Sequence, residues 1–347
     1  MIKVSDFIVQ YLEQIGITDV FLVTGGGAMH LNDSFGKSGR IRCVYNHHEQ
    51  ACAIAAEGYA RKKQQIAVVN VTTGPGGLNT LTGVFGQWTD SVPVLYISGQ
   101  VRYDTTTASV PELGLRQLGD QEVNIVSVVK GLTKYSVCIS DPLDVKRSLQ
   151  AALYYATSGR PGPVWIDVPM NVQGAMVDEA SLSDFIVPQI EDRKQSSADS
   201  ALRVVQMMKS SQRPVIVAGH GVRLSETIQE LHKFLEKTQI PVVGTLNGFD
   251  VMSFDHPQYI GTVGTIGSRA GNFVLQNADF VLFLGTRNNI RQISYGWQYY
   301  ARHAVKVAVD VDEAELKKPL IKYNLAVQDD LRSWMPALSA AVRNEVL

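Results

Sequence analysis

A chain of 347 residues is long enough for two domains, each with its own core. With 45% apolar and 19% charged residues and a formal net charge of −1, it has no electrostatic footprint for DNA, RNA or an anionic membrane. Met1 to Asp6 lacks the apolar core of a signal peptide, and no apolar run reaches the roughly 18 residues of a membrane span. Cys43, Cys52 and Cys138 are far apart and have no metal-type spacing, so they read as reduced, buried thiols in a cytoplasmic protein.

In chain order, short β-branched or aromatic runs predict strands at Val20 to Val23, Ile41 to Tyr45, Ile66 to Val71, Val94 to Ser98, Tyr135 to Ile139 and Val164 to Val168. Helical patterns separate them at Ser5 to Gln14, Glu49 to Lys62, Leu78 to Trp88 and Leu143 to Ala156. Continuous apolar strands signal burial on both faces, hence a mostly parallel sheet flanked by helices. From Val172 to Ser200 the pattern becomes polar, through Glu191 to Ser197, and predicts a linker. A second set of strands follows at Val215 to Ala218, Val242 to Gly244, Phe280 to Leu284 and Val305 to Val311. Its helices are predicted at Ala201 to Lys209, Glu226 to Lys237 and Asp329 to Arg343. The fold class is α/β, with two doubly wound domains over residues 1–185 and 186–347.

The most informative stretch is His48 to Arg61. It places Glu49 at the mouth of a helix built from Ala51, Ala53, Ala55, Ala56 and Gly58, directly after a strand. An acid at a helix start ordinarily only complements the macrodipole, worth under about 1 kcal/mol. Here the small neighbours leave room for something large to approach. Glycine turns lie ready after two strands, at Gly25-Gly26-Gly27 and at Thr73-Gly74-Pro75-Gly76-Gly77.

Six motifs occur in order: Gly26-Gly27-Ala28, His48-Glu49-Gln50, Ala56-Glu57-Gly58-Tyr59-Ala60-Arg61, Thr73-Gly74-Pro75-Gly76, Asp90-Ser91-Val92-Pro93-Val94 and Gly159-Arg160-Pro161-Gly162-Pro163-Val164. Together they resemble the N-terminal and central domains of the thiamine-diphosphate-dependent acetolactate synthase (acetohydroxyacid synthase) large-subunit family. The resemblance spans essentially the whole chain. It implies a pyrimidine-binding domain followed by a central domain of FAD or nucleotide type.

The resemblance also implies the chemistry. A carboxylic acid hydrogen-bonded to N1′ of the cofactor's pyrimidine drives it to the imino form, and Glu49 takes that role. A 2-keto acid, pyruvate first, would lose carbon dioxide and be joined to an acceptor carbonyl on a second keto acid, an aldehyde or a keto sugar. Gly26 and Gly27 match a loop bordering the reacting centre, Pro75, Gly76 and Asn79 the turn under the pyrimidine, and Gln121 a glutamine that reaches the site. His47 and His48 are further proton-transfer candidates, with His48 belonging rather to the structural motif. Asp120 stands where the family has an aromatic residue, which points to a different keto acid or acceptor.

In the second half, Gly219 and Gly221 follow a strand, where backbone N–H groups can meet a phosphate. By the same resemblance Arg160, Gly219, Gly221, Thr245, Leu246, Arg287, Asp310 and Val311 would contact FAD, Arg287 by suiting a pyrophosphate. Ile266 and Asn288-Asn289-Ile290 depart from the family pattern. An ADP-like nucleotide, or a site kept only for packing, therefore stand beside FAD as readings.

No Gly-Asp-Gly occurs in the chain, so the Mg²⁺ ligands that hold the diphosphate are expected on another domain, and no metal residue is assigned here. The chain then reads as the front of a longer enzyme, or as one subunit of a split one with a separate C-terminal-domain partner. Family sites form between subunits, implying a homodimer or homotetramer. Two alternatives stand beside this: a non-ligating 2-keto acid decarboxylase of the same superfamily, and a non-catalytic nucleotide-binding or regulatory protein.

Overall fold

The computed structural model of the chain describes residues 1–189 and 194–343. The chain divides into two compact units, Met1–Gln189 and Ile190–Leu347. The first contains β1 (Ile2–Lys3), β2 (Asp19–Leu22), β3 (Arg42–Tyr45), β4 (Ala67–Val71), β5 (Val94–Gln100), β6 (Tyr135–Cys138), β7 (Val164–Pro169) and β8 (Met176–Val177). Strands β2 to β7 form a parallel sheet in the order β3-β2-β4-β5-β7-β6, while β1 and β8 make a separate antiparallel pair.

Both faces of this sheet are covered. One packs against α1 (Val4–Gln14), α2 (Met29–Lys37) and the helix Val145–Thr157, through Phe7, Leu12, Leu31, Phe35 and Leu149. The other packs against α3 (Glu49–Lys63) and the short helix Ile125–Val129, through Cys52, Ala56, Ile125 and Val129. Then come α4 (Pro75–Leu78) and α5 (Leu81–Asp90), with Val84 of α5 in the same cluster. Coverage on both sides explains why every residue of the central strands β4 and β5 is buried, whereas the edge strand β3 is part-exposed.

The second unit repeats the design with β9 (Pro214–Ala218), β10 (Val242–Gly244), β11 (Tyr259–Thr262), β12 (Phe280–Leu284), β13 (Val305–Asp310) and β14 (Leu325–Gln328). They form a parallel sheet in the order β11-β10-β9-β12-β13-β14. The topological switch lies between β9 and β12, the usual place for a ligand crevice in such sheets.

Several elements differ from the sequence pattern, each for a physical reason. The periodicity from Leu78 to Trp88 suggests one helix, but the chain breaks at Asn79–Thr80, where Thr80 Oγ1 donates to the Gly77 carbonyl at 2.7 Å. Helix α2 escapes the pattern because its buried stripe is only Leu31, Ser34 and Phe35. Edge strands β11 and β14 are short and only partly buried, so they show no continuous apolar run. Of the linker predicted over Val172–Ser200, residues 190–193 lie outside the described residues. Its remainder includes β8 and the first turns of a helix that runs Lys194–Lys209 rather than starting at Ala201. Ser197, buried on that helix, hydrogen-bonds Asp329, so the polar residues from Lys194 onward belong to the helix start.

Candidate active site

Glu49 opens α3, and the local sequence sets its place. His48 adopts extended backbone at φ −157° and caps the helix, its Nδ1 accepting the Gln50 N–H at 3.1 Å. His48 is thus a capping group, while His47 is exposed. The Glu49 carboxylate is held from α4's C-cap: Asn79 Nδ2 donates to Oε2 at 2.9 Å. Among the described residues Oε1 takes no hydrogen bond.

The rest of α3 is a rigid mount. Arg61 bridges Glu57 and Asp90, each at 2.8 Å, tying α3 to the end of α5. Tyr59 donates to Asp19 Oδ2 at 3.0 Å. Although burial pushes the Asp19 carboxyl up, hydrogen bonds from Thr18, Arg42 and Tyr59 hold it below the usual range. A Cβ on Gly83 of α5 would sit 2.4 Å from the Ala53 Cβ of α3, so the helices approach as closely as small residues permit. Glu57, Tyr59 and Arg61 are therefore structural members of their motif.

The two glycine turns meet at Thr72. A Cβ on Gly25 would fall 2.5 Å from Thr72 Cβ, and one on Gly76 would fall 2.7 Å from Thr72 Cγ2. The Gly27 N–H donates to Thr72 Oγ1 at 3.1 Å. Gly26 is exposed, with nothing within 4 Å of where its Cβ would stand. The same imaginary Cβ on Gly76 would lie 3.6 Å from Glu49 Oε1, so the bare Gly76 backbone passes close beside the unpartnered carboxylate oxygen. A carboxylate oxygen free to accept, set beside bare glycine backbone, is the kind of group that can meet a ring nitrogen of a flat heteroaromatic ligand.

Gln121 joins this cluster through its backbone. Its carbonyl oxygen lies 1.9 Å from where a Gly74 Cβ would be, and Gly74 (φ +56°) and Gln121 (φ +57°) are both left-handed. Pro75 and Asn79 are exposed on the same turn. The structure thus gathers Glu49, Gly76 and Asn79 directly, Gly27 through Thr72, and Gln121 through Gly74.

Three supporting residues escape the motif analysis: Thr72, Gln100 and Asp167. Gln100 and Asp167 are each 2% exposed, and Gln100 Nε2 donates to Asp167 Oδ2 at 3.0 Å. Ser98 Oγ donates to Asp167 Oδ1 at 2.5 Å and receives the Trp165 Nε1–H at 2.8 Å. Burial pushes the Asp167 carboxyl up to about 7, against the pull of these hydrogen bonds. The available signal was a polar residue inside an otherwise apolar strand, Gln100 closing β5 and Asp167 within β7.

The second unit's candidates lie at the carboxyl ends of its strands. A Cβ on Gly219 would fall 2.2 Å from Gly285 O, and one on Gly221 would fall 2.6 Å from Gly285 Cα. The Gly219 and Gly221 amides donate to Leu284 O and Gly285 O, each at 2.9 Å. These glycines serve turn-to-turn packing, and their N–H groups do not fit the role of phosphate donors. Thr245 is buried and its N–H donates to Ala218 O at 3.0 Å, while Leu246 is 46% exposed. Asp310 Oδ1 accepts the Asp312 N–H at 2.9 Å, Val311 is half-buried next to it, and Arg287 is half-buried beyond β12. Arg160 belongs to the first unit, where its Nε donates to Ser91 Oγ at 2.8 Å. Among the described residues no group of three or more His, Cys, Asp or Glu is placed to hold a metal ion, and no helix is long and apolar enough to cross a membrane.

Comparison with known proteins agrees with this arrangement. Residues 2–128 match the thiamine pyrophosphate enzyme N-terminal TPP binding domain, and residues 202–338 match the central domain of the same enzymes. The acetolactate synthase large subunit of Lactococcus lactis is 33% identical over 96% of this chain and 56% of its own length. The isozyme 2 large subunit of Escherichia coli is 32% identical over 96% of the chain and 58% of its own length. The chloroplastic acetolactate synthase of Arabidopsis thaliana is 33% identical over 99% and 49% respectively. The chain spans about half the length of these curated relatives. It belongs to the thiamine pyrophosphate enzyme family and carries that family's N-terminal TPP-binding and central domains.

Proposed function

We propose that Glu49 engages the pyrimidine of thiamine diphosphate, and that the protein acts on a 2-keto acid, pyruvate first, joining it to an acceptor carbonyl as acetolactate synthases do. The observation that carries this reading is the Glu49 carboxylate: Oε2 is fixed by Asn79, and among the described residues Oε1 takes no hydrogen bond and lies beside the Gly76 backbone. When bound, the cofactor supplies the electron sink for decarboxylation and carbon–carbon bond formation. Glu49 then holds a proton at N1′ and takes it back, the small residues of α3 admit the ring, and Gly26 and Gly27 border the reacting centre. Gln121, left-handed against Gly74, reaches the keto acid.

In the second unit, Thr245, Leu246, Arg287, Asp310 and Val311 form the part of the carboxyl edge offered to FAD or a related nucleotide. The Gly219 and Gly221 amides take no part. Mg²⁺ would be held by ligands outside this chain's described residues. A second copy is the proposed partner, because α3 and α5 leave Ile54, Phe85 and Trp88 exposed.

The test is Glu49→Gln in the protein as its source makes it. Cofactor-dependent consumption of pyruvate should fall by about 10²- to 10⁴-fold, with the melting temperature unchanged. Full activity in the variant would remove Glu49 from the mechanism. Product analysis separates the two outcomes of catalysis: a coupled hydroxyketo product supports ligation, and free aldehyde a simple decarboxylase.

A further inference from the structure

Gln100 closes β5, and its amide uses every bonding position it has. Nε2 donates to the Val123 carbonyl at 2.9 Å and to Asp167 Oδ2 at 3.0 Å, while Oε1 accepts the Val101 N–H at 3.1 Å and the Thr73 hydroxyl. Two of these partners flank separate pieces of the candidate site. Thr73 immediately precedes Gly74, and Val123 follows Gln121 by two residues.

Between those partners lies the close approach of Gln121 O to Gly74. The segment around Gln121 is a turn, closed by the Glu122 N–H donating to Gly119 O at 3.2 Å. Left-handed backbone at a non-glycine residue is strained, so surrounding contacts must hold this turn in place. Glu122 supplies one restraint. It is 2% exposed, its Oε1 accepts from the Thr107 N–H at 3.1 Å and the Thr107 hydroxyl at 2.8 Å, and its Oε2 accepts the Leu118 N–H at 3.2 Å. Those bonds tie the turn to residues 107–118 but not to the glycine turn of α4. Gln100 makes that second connection.

We propose that Gln100 is a positioning residue: its buried amide clamps the Thr73–Gly74 turn to the segment carrying Gln121, and so fixes where the Gln121 side chain enters the site. Asp167 orients the amide, because a carboxyl oxygen facing Nε2 selects the flip in which Oε1 meets Thr73. The value of this positioning for the reaction rests on the reading above that Gln121 reaches the keto acid. The clamp itself does not.

The experiment measures backbone hydrogen exchange on the intact chain in two variants, with thermal melting as the control. Gln100→Met keeps the length and removes all four bonds, and Thr73→Val removes one while preserving shape. Thr73→Val should raise exchange at residues 121–123 by about fivefold, the size of one lost hydrogen bond, and Gln100→Met should raise it further. Exchange in the second unit should stay unchanged in both.

The clamp is refuted by unaltered exchange at residues 121–123 in Thr73→Val. It is equally refuted if Gln100→Met loosens that segment no more than the rest of the first sheet, since the amide would then only satisfy the core. A kinetic arm distinguishes the two readings. In the protein as its source makes it, Thr73→Val should raise KM for pyruvate more than it lowers kcat. Raised exchange with unaltered KM would keep the clamp and remove Gln121 from the substrate site.

Discussion

In the first unit Gly25, Gly27 and Gly76 all approach one side chain, that of Thr72, whereas in the second unit Gly219, Gly221 and Gly285 approach one another's backbone. The two arrangements look alike in sequence, each a small-residue turn after a parallel strand. Around Thr72 the hydroxyl receives Gly27 N–H, and Gly76 brings bare backbone beside Glu49. Around Gly285 the amides of Gly219 and Gly221 are taken up by carbonyls across the turn. Both sets of glycines are packing joints, but the first is built around a side chain and carries an acidic group beside it, whereas the second joins backbone to backbone.

The largest expected effect tests the joint. Gly285 has φ +53°, and a Cβ there would stand 2.6 Å from Gly221 Cα. Gly285→Ala should lower the stability of the second unit by about 3 kcal/mol or more, read by denaturant titration. A cost under about 1 kcal/mol would show the turns to be loosely packed and reopen the amides to a ligand.

The next concerns Asp167. Burial pushes its carboxyl up to about 7 from the ordinary value of 3.8, so between those values the folded state keeps a proton that the unfolded state has released. The resulting stability is fully present below the unfolded value and is lost as pH rises towards 7. The stability of the first unit against unfolding, measured from pH 4 to 7, should fall as pH rises by up to a few kcal/mol. Asp167→Asn should flatten that dependence. A wild-type profile no steeper than the variant's would mean that the buried group is already ionised.

How much of this was legible in the sequence depends on where each residue lies. Central strands announce themselves, because burial on both faces forces runs such as Ala67–Val71, whereas edge strands such as Leu325–Gln328 need not be apolar throughout. Glu49 stood out because a cap, an acid and a small-residue helix coincide. Thr72, Gln100 and Asp167 did not, since their partners are distant in sequence: Gln100 meets Asp167 across 67 positions. Which glycine amides are occupied is likewise a property of two turns together, and neither turn's sequence records it.

Smaller effects sharpen the comparison on the first unit's side. Thr72→Val loses the acceptor for Gly27 N–H and should cost about 1 kcal/mol by thermal melting, with Thr72→Ser restoring it. Equal stability of the two variants would mean that Thr72 acts by shape alone. Gly26→Ala should be the mildest, within about 0.5 kcal/mol of wild type, because its Cβ meets nothing within 4 Å. If that variant nonetheless loses activity in the complete protein, Gly26 faces the bound substrate or cofactor. Retained activity would move the reacting centre elsewhere.

One connection bears on how the protein is made. Gln173 Nε2 donates to the Gly27 carbonyl at 2.7 Å across 146 positions of chain. During synthesis at about 5–20 residues per second, the turn at Gly27 waits on the order of ten seconds for the donor that pins it. For that interval the nascent chain can hold its early helices but cannot assemble the finished turn. Assembly of the site therefore belongs late in the folding order, after non-local pairing across the sheet has been completed.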